Sequence, residues 1–491
     1  MTPKNLVRST IILLTVSLLS VVAVGVFGFS NLKNYRQTLS PQLPEKFPTA
    51  IRMPTPPPPL RDRSHEGPQF GELHDGPAKP STSFTGSWSR FRGGQFDAIV
   101  KDSPKLARSF PPNGPKVLWT IPVGEGYAGA VARNGRAYLL DYDFKRRRDM
   151  LRCLNVETGE DIWNFSYPVK VAKNHGVSRT IPAVTDKHCV TIGPMCHVSC
   201  VNSVSGELLW SRDMVKDYGT VVPQWYAGQC PLIDGGRRAA GGGEIAVFAP
   251  SGTEALLVAM DCATGDEIWR TPNLFGWVQT HTSVMPMKLG ERDTYVYVGK
   301  EGIVGVDANT GEILWTNFDW KIGIATSPSP LILPENRVFL CGEYESNGAM
   351  LKITETTDGK YEAKMLWRKP APIFKSVHQT PIFYDGHIFG LNKHVRKFVC
   401  FDLNGKTLWD SGTKSNFGPT SGGPYMVADG LFFILSDEAE LTIAEATAKE
   451  FRPLGSWEIL PEAYDAWGPM CFVDGLLILR DLTRMTCLDL R

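Results

Sequence analysis

Tryptophan recurs along this chain with a period, and that period constrains the fold more than any other feature. Eight of the 13 tryptophans, Trp119, Trp163, Trp210, Trp269, Trp315, Trp367, Trp409 and Trp457, stand 42 to 59 residues apart. Most follow one phrase. Cys153-Leu154-Asn155-Val156-Glu157-Thr158-Gly159 leads to Trp163, and Cys200-Val201-Asn202 leads through Ser205-Gly206 to Trp210. Asp261 leads through Thr264-Gly265 to Trp269, Asp307 through Thr310-Gly311 to Trp315, and Asp402 through Asn404-Gly405 to Trp409. The phrase describes two β-runs joined by a tight turn. Glycine supplies the positive φ, Asp or Asn caps the turn amides, and the indole gives a large apolar face to pack between sheets.

Two further β-like runs precede each phrase, such as Tyr295-Val296-Tyr297-Val298 and His387-Ile388-Phe389-Gly390-Leu391. Four strands in a repeat of about 48 residues are the signature of a propeller blade. The final copy, Thr486-Cys487-Leu488-Asp489, stops before any tryptophan, and Leu118-Trp119 has no phrase before it. These two ends are expected to complete one blade. The expectation is an all-β, eight-bladed β-propeller of four-stranded antiparallel blades, the last shared between N- and C-terminal strands, which leaves the ring no free edge. The copies before Trp367 and Trp457 are degenerate.

The chain ahead of the ring reads differently. Thr10 to Phe29 is an uncharged run of twenty residues, which at 1.5 Å per residue spans roughly 30 Å, the thickness of a bilayer core. Lys4 and Arg8 before it favour an inside N-terminus; Lys33 and Arg36 after it weaken that orientation. A cleaved signal peptide is the rival reading. Pro41, Pro44, Pro48 and Pro54 lead into the run Pro56 to Pro59, a composition suited to a stiff spacer or to plain disorder. The expected division is a cytoplasmic N-terminus at 1–9, a transmembrane signal-anchor helix at 10–29, a Pro-rich disordered linker at 30–86, a lead-in segment at 87–116 and the propeller at 117–491. The expected location is a single-pass membrane protein with its head in the periplasm or extracytoplasmic space.

Charge excludes some partners. Lys+Arg number 52 and Asp+Glu 51, so no basic field for nucleic acid exists. Lys145 to Arg148 and Arg237-Arg238 are local basic clusters in loops, read first as solvated. Ten cysteines in 491 residues make no disulfide scaffold. Cys153, Cys200, Cys400 and Cys487 share a repeat position with Ala259, Gly305 and Ala444, which marks a small buried site. Cys189 and Cys200 could face each other on neighbouring strands of one blade.

The Asp-x-x-Thr-Gly-x-x-x-Trp phrase resembles the repeat of the pyrroloquinoline-quinone (PQQ)-like propellers. That group includes quinoprotein alcohol dehydrogenases and the lipoprotein propeller of the outer-membrane assembly machinery. Trp88-Ser89-Arg90-Phe91-Arg92-Gly93-Gly94 also resembles a segment of exported planctomycete-type members. The resemblance implies the fold over residues 117–491 and leaves activity open. One implied function is a membrane-anchored binding or assembly module of the cell envelope; the alternative is a PQQ- and calcium-dependent alcohol dehydrogenase.

Functional residues are expected on the loops entering the innermost strands. Those loops carry His175, Arg179, Trp225, His281, His378, Gln379 and Trp467, candidates for gripping a planar ligand such as PQQ or an envelope protein. The same residues could instead cap strand ends. Asp465 is the candidate general base beside Trp467, and Glu343, Glu345, Asp437 and Glu438 are further carboxylates of the same face. No metal site is assigned: the three histidines sit in different blades. No Cys-x-x-Cys-His haem motif occurs, and the head is expected to be monomeric.

Overall fold

The computed structural model describes residues 71–172, 174–235, 243–323, 325–343, 346–368, 374–413 and 415–491. The apolar run at 10–29, the Pro-rich run, Arg237, Arg238 and Glu345 lie outside the described residues. Among the described residues no helix is long and apolar enough to cross a membrane.

The described residues form eight sheets, each built on four antiparallel strands. Blade 1 runs Val131–Arg133, Arg136–Asp143, Arg148–Asn155 and Asp161–Pro168 from inside to outside, and blades 2 to 7 repeat that order up to Pro453–Glu458. Blade 8 combines Cys471–Val473, Leu476–Arg480 and Arg484–Asp489 with Lys116–Pro122 as its outermost strand. Thr120 and Thr486 bond across this seam, 366 residues apart in sequence. The shared blade is as the repeat count requires.

Trp119, Trp163, Trp210 and Trp269 each do two things, and Trp315 and Trp409 share the first of them. Within its blade each faces a small residue of the third strand: Cys153 opposes Trp163, Cys200 Trp210, Ala259 Trp269, Gly305 Trp315, Cys400 Trp409 and Cys487 Trp119. A Cβ on Gly305 would fall 2.1 Å from the Trp315 ring, so a small side chain here is a steric requirement. Toward the next blade the ring lies on the glycine of the following turn. Trp119 covers Gly159, Trp163 covers Gly206, Trp210 covers Gly265 and Trp269 covers Gly311. The indole N–H then donates to a turn carbonyl, from Trp119 to Val156 O at 3.1 Å and from Trp210 to Cys262 O at 2.9 Å. Asp261 Oδ1 accepts the amides of Ala263 and Thr264, as a turn cap should. The degenerate blades differ in detail. Met350 opposes Trp367, and in blade 7 it is Ile443, one residue before Ala444, that precedes the bulge, opposite Gly455. Trp457 sits two residues further on, its ring over Gly455.

All ten cysteines are buried and free. Cys189 pairs with Val201 while Val190 pairs with Cys200. One residue of offset sends the two thiols to opposite faces of the sheet, which rules out the bridge.

The described residues begin inside the segment expected to be linker. Strand β1 (Glu72–Asp75) adds antiparallel to the outer strand of blade 1. Its alternating partners, Leu73 on Phe165 and Asp75 on Trp163, supply backbone pairing that proline content alone did not reveal. The lead-in segment then enters the centre of the ring. Strand β2 (Ser87–Trp88) pairs with the inner edge of blade 1, and β3 (Ile99–Val100) pairs in parallel with the inner strand of blade 7. Between them the chain turns back on itself. Arg92, fully buried, donates to Thr380 O and Pro381 O of blade 6 and to Phe96 O of its own turn. Ser89 O accepts from Val184 N of blade 2, and Arg90 reaches Ile233 O of blade 3. Residues 87–100 therefore plug the channel and tie five blades together.

Candidate functional site

The loops that cross from one blade to the next meet on the face away from the Thr-Gly turns. One repeat position organises them. The residue four places before each innermost strand is, from blade 1 to blade 8, Tyr127, Arg179, Gly228, His281, Ser327, His378, Ser421 and Trp467. All but Ser421 line a single funnel at the channel mouth. Phe91, at the tip of the channel plug, joins the lining of the inner chamber. The outer chamber, about 230 Å³, adds His175, Trp225 and Glu343; the inner one is about 80 Å³.

A second position, two residues before each inner strand, fastens the funnel wall. Ile181 N donates to Cys230 Sγ, Cys230 N to Ser283 Oγ, Ser283 N to Ser329 Oγ and Ser329 N to Thr380 Oγ1. These bonds run round the ring from blade 2 to blade 6. Blades 7, 8 and 1 carry Gly423, Pro469 and Gly129 there, which have no side-chain acceptor to continue the belt.

Within the funnel the rings pack in sequence. Trp467 stacks on Tyr127 with centroids 5.1 Å apart and planes at 29°, and His378 packs on Trp467 at 4.5 Å. The Arg179 guanidinium lies 4.9 Å from the centre of the Tyr127 ring, a cation–π distance. Trp225 stands 6.5 Å from His281 on the other side. Trp467 is held rigidly: its indole N–H donates to Asp437 Oδ1 at 2.9 Å, and Gln379 Nε2 donates to its carbonyl at 2.8 Å. The Asp437 carboxylate also accepts Thr420 N, Thr420 Oγ1, Ser421 N and Gly422 N. His175, Tyr226, Ser421 and Asp465 adopt φ between 46° and 66°, a left-handed strain that tight loops of this kind store.

Burial dominates the electrostatics of the funnel. Arg179 donates through Nη2 to His175 O and Gly176 O, with no carboxylate beside it. Burial lowers its pKa to about 10. Burial, reinforced by Arg179, lowers His281 to about 4 and His378 to about 3, so both imidazoles are neutral. Burial raises the pKa of Asp465, whose Oδ2 accepts the Tyr127 hydroxyl at 3.4 Å.

The structure thus brings Trp225, Trp467, His175, Arg179, His281, His378 and Gln379 to one funnel, with Asp465 behind Tyr127. His175 differs from the other two histidines: it is exposed, four residues before Arg179, which holds the equivalent place in blade 2. Sequence reasoning missed Tyr127, Ser327 and Phe91. Tyr127 was legible from its spacing to the inner strand in Gly124-Glu125-Gly126-Tyr127.

The donor set does not suit calcium. Asp437 is committed to five hydrogen bonds, Glu343 is paired with Lys393 and Asp465 with Tyr127. Among the described residues no group of three His, Cys, Asp or Glu is placed to hold a metal ion.

Comparison with known proteins agrees with the repeat. The sequence profile of the family described as outer membrane protein assembly factor BamB matches residues 194–360. Over those residues the repeats are similar to the PQQ-like type. Curated proteins give no match. Among solved structures, quinohemoprotein alcohol dehydrogenase ADHIIG from Pseudomonas putida HK5 superposes with a TM-score of 0.52 at 11% identity, covering 82% of this chain and 80% of that one. BamB from Moraxella catarrhalis gives 0.49 at 10% identity, covering 76% and 96%. At that identity the superposition on the alcohol dehydrogenase shows the propeller fold alone.

Proposed function

We propose that this PQQ-like propeller is a membrane-anchored, exported binding or assembly module, which engages its partner or ligand through the funnel. The observation that carries the reading is the commitment of the three carboxylates that line or back the funnel, Glu343, Asp437 and Asp465, to internal partners. The aromatic and cationic groups there stay turned to the opening. A rigid rim of this kind favours recognition. The uncharged run at 10–29 is the anchor, and residues 30–70 are the spacer that gives the head its reach.

The test uses the full-length protein in its own cells. A photo-crosslinking residue at Trp225 is expected to yield a discrete envelope adduct that the same probe at Asn309, on the Thr-Gly face, does not. In parallel, purified protein in detergent is supplied with PQQ and Ca²⁺. Dye-linked oxidation of alcohols by that mixture would overturn the reading in favour of a dehydrogenase.

A further inference from the structure

Blade 1 carries a cationic corner outside the funnel. Its second and third strands, Arg136–Asp143 and Arg148–Asn155, meet at a tip where Phe144, Lys145, Arg146 and Arg147 are all exposed. The Phe144 ring is propped edge-on by buried Tyr142 at 4.9 Å. Val169 N donates to Arg147 O, which sets exposed Lys170 beside the same corner. Little acid answers these cations. Asp143 lies 3.8 Å from Arg146 while its Oδ1 accepts the amides of Lys145 and Arg146, and Glu72 pairs with Arg148 at 3.2 Å. Among the described residues no carboxylate pairs with Lys145, Arg147 or Lys170. The chain also enters the head here. β1 lies antiparallel on the outer strand of blade 1, with Asp75 opposite Trp163 and Glu72 opposite Ser166. Followed back from Asp75 to Glu72, the backbone heads for the Pro168 end of that strand, and Pro168 pairs with Arg148 at the base of the tip. The spacer is thus joined to the head at its cationic corner.

We propose that the Phe144–Arg147 tip is a docking surface for anionic lipid, on the bilayer in which the chain itself is anchored. The inference rests on the reading of residues 10–29 as an anchor. Exposed Lys and Arg gain from the negative potential of an anionic bilayer, and an aromatic ring among them enters the headgroup layer. That potential fades within a Debye length, roughly 10 Å at 0.1 M salt. It therefore acts on the part of the head that the tether keeps close, which is this corner. The tether alone would leave the head free to turn; the charge at its root gives it one orientation, with blade 1 toward the lipid. None of the tip residues lines the funnel chambers, so lipid contact and funnel are separate surfaces.

The test reconstitutes full-length protein in nanodiscs of phosphatidylcholine, alone or mixed with phosphatidylglycerol, each carrying a headgroup-nitroxide lipid as quencher. All ten native cysteines are buried, so a dye on Pro168→Cys reports the tip and a dye on Asn309→Cys reports the Thr-Gly face of blade 4. Quenching at Pro168→Cys is expected to be about threefold or more stronger with phosphatidylglycerol than without it. It should fall back at about 0.5 M salt, and Asn309→Cys should respond alike in both lipids. Adding Lys145→Gln and Arg147→Gln should bring the anionic discs to the phosphatidylcholine level. The salt and lipid comparisons stand even where that variant fails to fold. Equal quenching in the two lipids, or quenching indifferent to salt, would refute the charge contact. Quenching that survives the double variant would place the contact off the tip, and equal lipid dependence at Asn309→Cys would refute the orientation. Alkaline carbonate extraction of the native membranes reads the anchor separately. A chain released by it overturns the anchor and the proposal with it, whereas a retained chain without lipid-dependent quenching overturns the docking alone.

Discussion

Gly114 lies flat on the indole of Trp457. A Cβ at that glycine would stand 2.9 Å from the Trp457 side chain, and its φ is +84°. Phe110 meets the same ring edge-on at 5.4 Å. Gly114 is the counterpart of Gly159, Gly206, Gly265 and Gly311, supplied from the N-terminal side of the seam. Gly114→Ala should therefore destabilise the ring by both backbone strain, about 1 kcal/mol, and the clash with the indole. Gly386→Ala, also at positive φ but with nothing within 4 Å, should show the strain alone. Thermal melts of the two variants that coincide would remove Gly114 from the closure.

The tryptophans should not be equivalent. Trp269 is buried and donates to Ala308 O at 3.1 Å, whereas the Trp315 indole N–H has no hydrogen-bond partner. Trp269→Ala should cost about 3–5 kcal/mol. Trp→Phe should cost about 1 kcal/mol more at Trp269 than at Trp315, because only there is a carbonyl left unpaired. Denaturant unfolding of the pair measures the difference, and equal losses would contradict the docking role of the N–H.

The hydroxyl belt should be additive only in part. Ser283→Ala removes the acceptor for Cys230 N and leaves a buried amide unpaired. A loss of about 1–3 kcal/mol is expected. The double variant with Ser329→Ala should lose less than the sum of the two singles, since neighbouring bonds of the belt are coupled. Strict additivity in denaturant unfolding would show each blade pair to be independent.

Two sets of buried groups give stability opposite pH slopes. His281 and His378 are depressed from 6.5 to about 4 and about 3, chiefly by burial. Their contribution is full above pH 6.5 and is lost as pH falls through those values. Asp149 is raised from 3.8 to about 7 by burial, and its Oδ2 accepts the Tyr167 hydroxyl at 2.6 Å. Its contribution is full below pH 3.8 and is lost as pH rises through 7. Asp149→Asn should remove a loss of stability that runs from about pH 4 to about pH 7, so that melting temperature rises more steeply with pH over that range while the slope above pH 7 stays unchanged. A variant whose slope over that range equals the wild type's would place the titrating group elsewhere.

Much of the ring could be read from the chain because its information is local. The Thr-Gly pair, the capping Asp or Asn and the tryptophan are all within eleven residues, and each reports a turn or a strand on its own. The parts that escaped depend on distant pairing. Glu72–Asp75 has no strand signature and is a strand because blade 1 offers it an edge. Ser89 and Arg92 find their partners in blades 2 and 6, and no local pattern announces a plug. The funnel was half legible: aromatic and histidine residues stood out, but their common register to the inner strands appears only when strand starts are known. His175 was grouped with His281 and His378 for want of that register.

The seam has a consequence for how the protein is made. Lys116–Pro122 is translated early and has no strand partner until Arg484–Asp489 has left the ribosome. Throughout synthesis the growing polypeptide carries an open β-edge, and the plug at residues 87–100 leaves the ribosome before any of the five blades that hold it. Non-local pairing of this kind is slow and exposes edges to aggregation. A chain built so depends on an escort, or on rapid local folding of each blade, during its longest minutes.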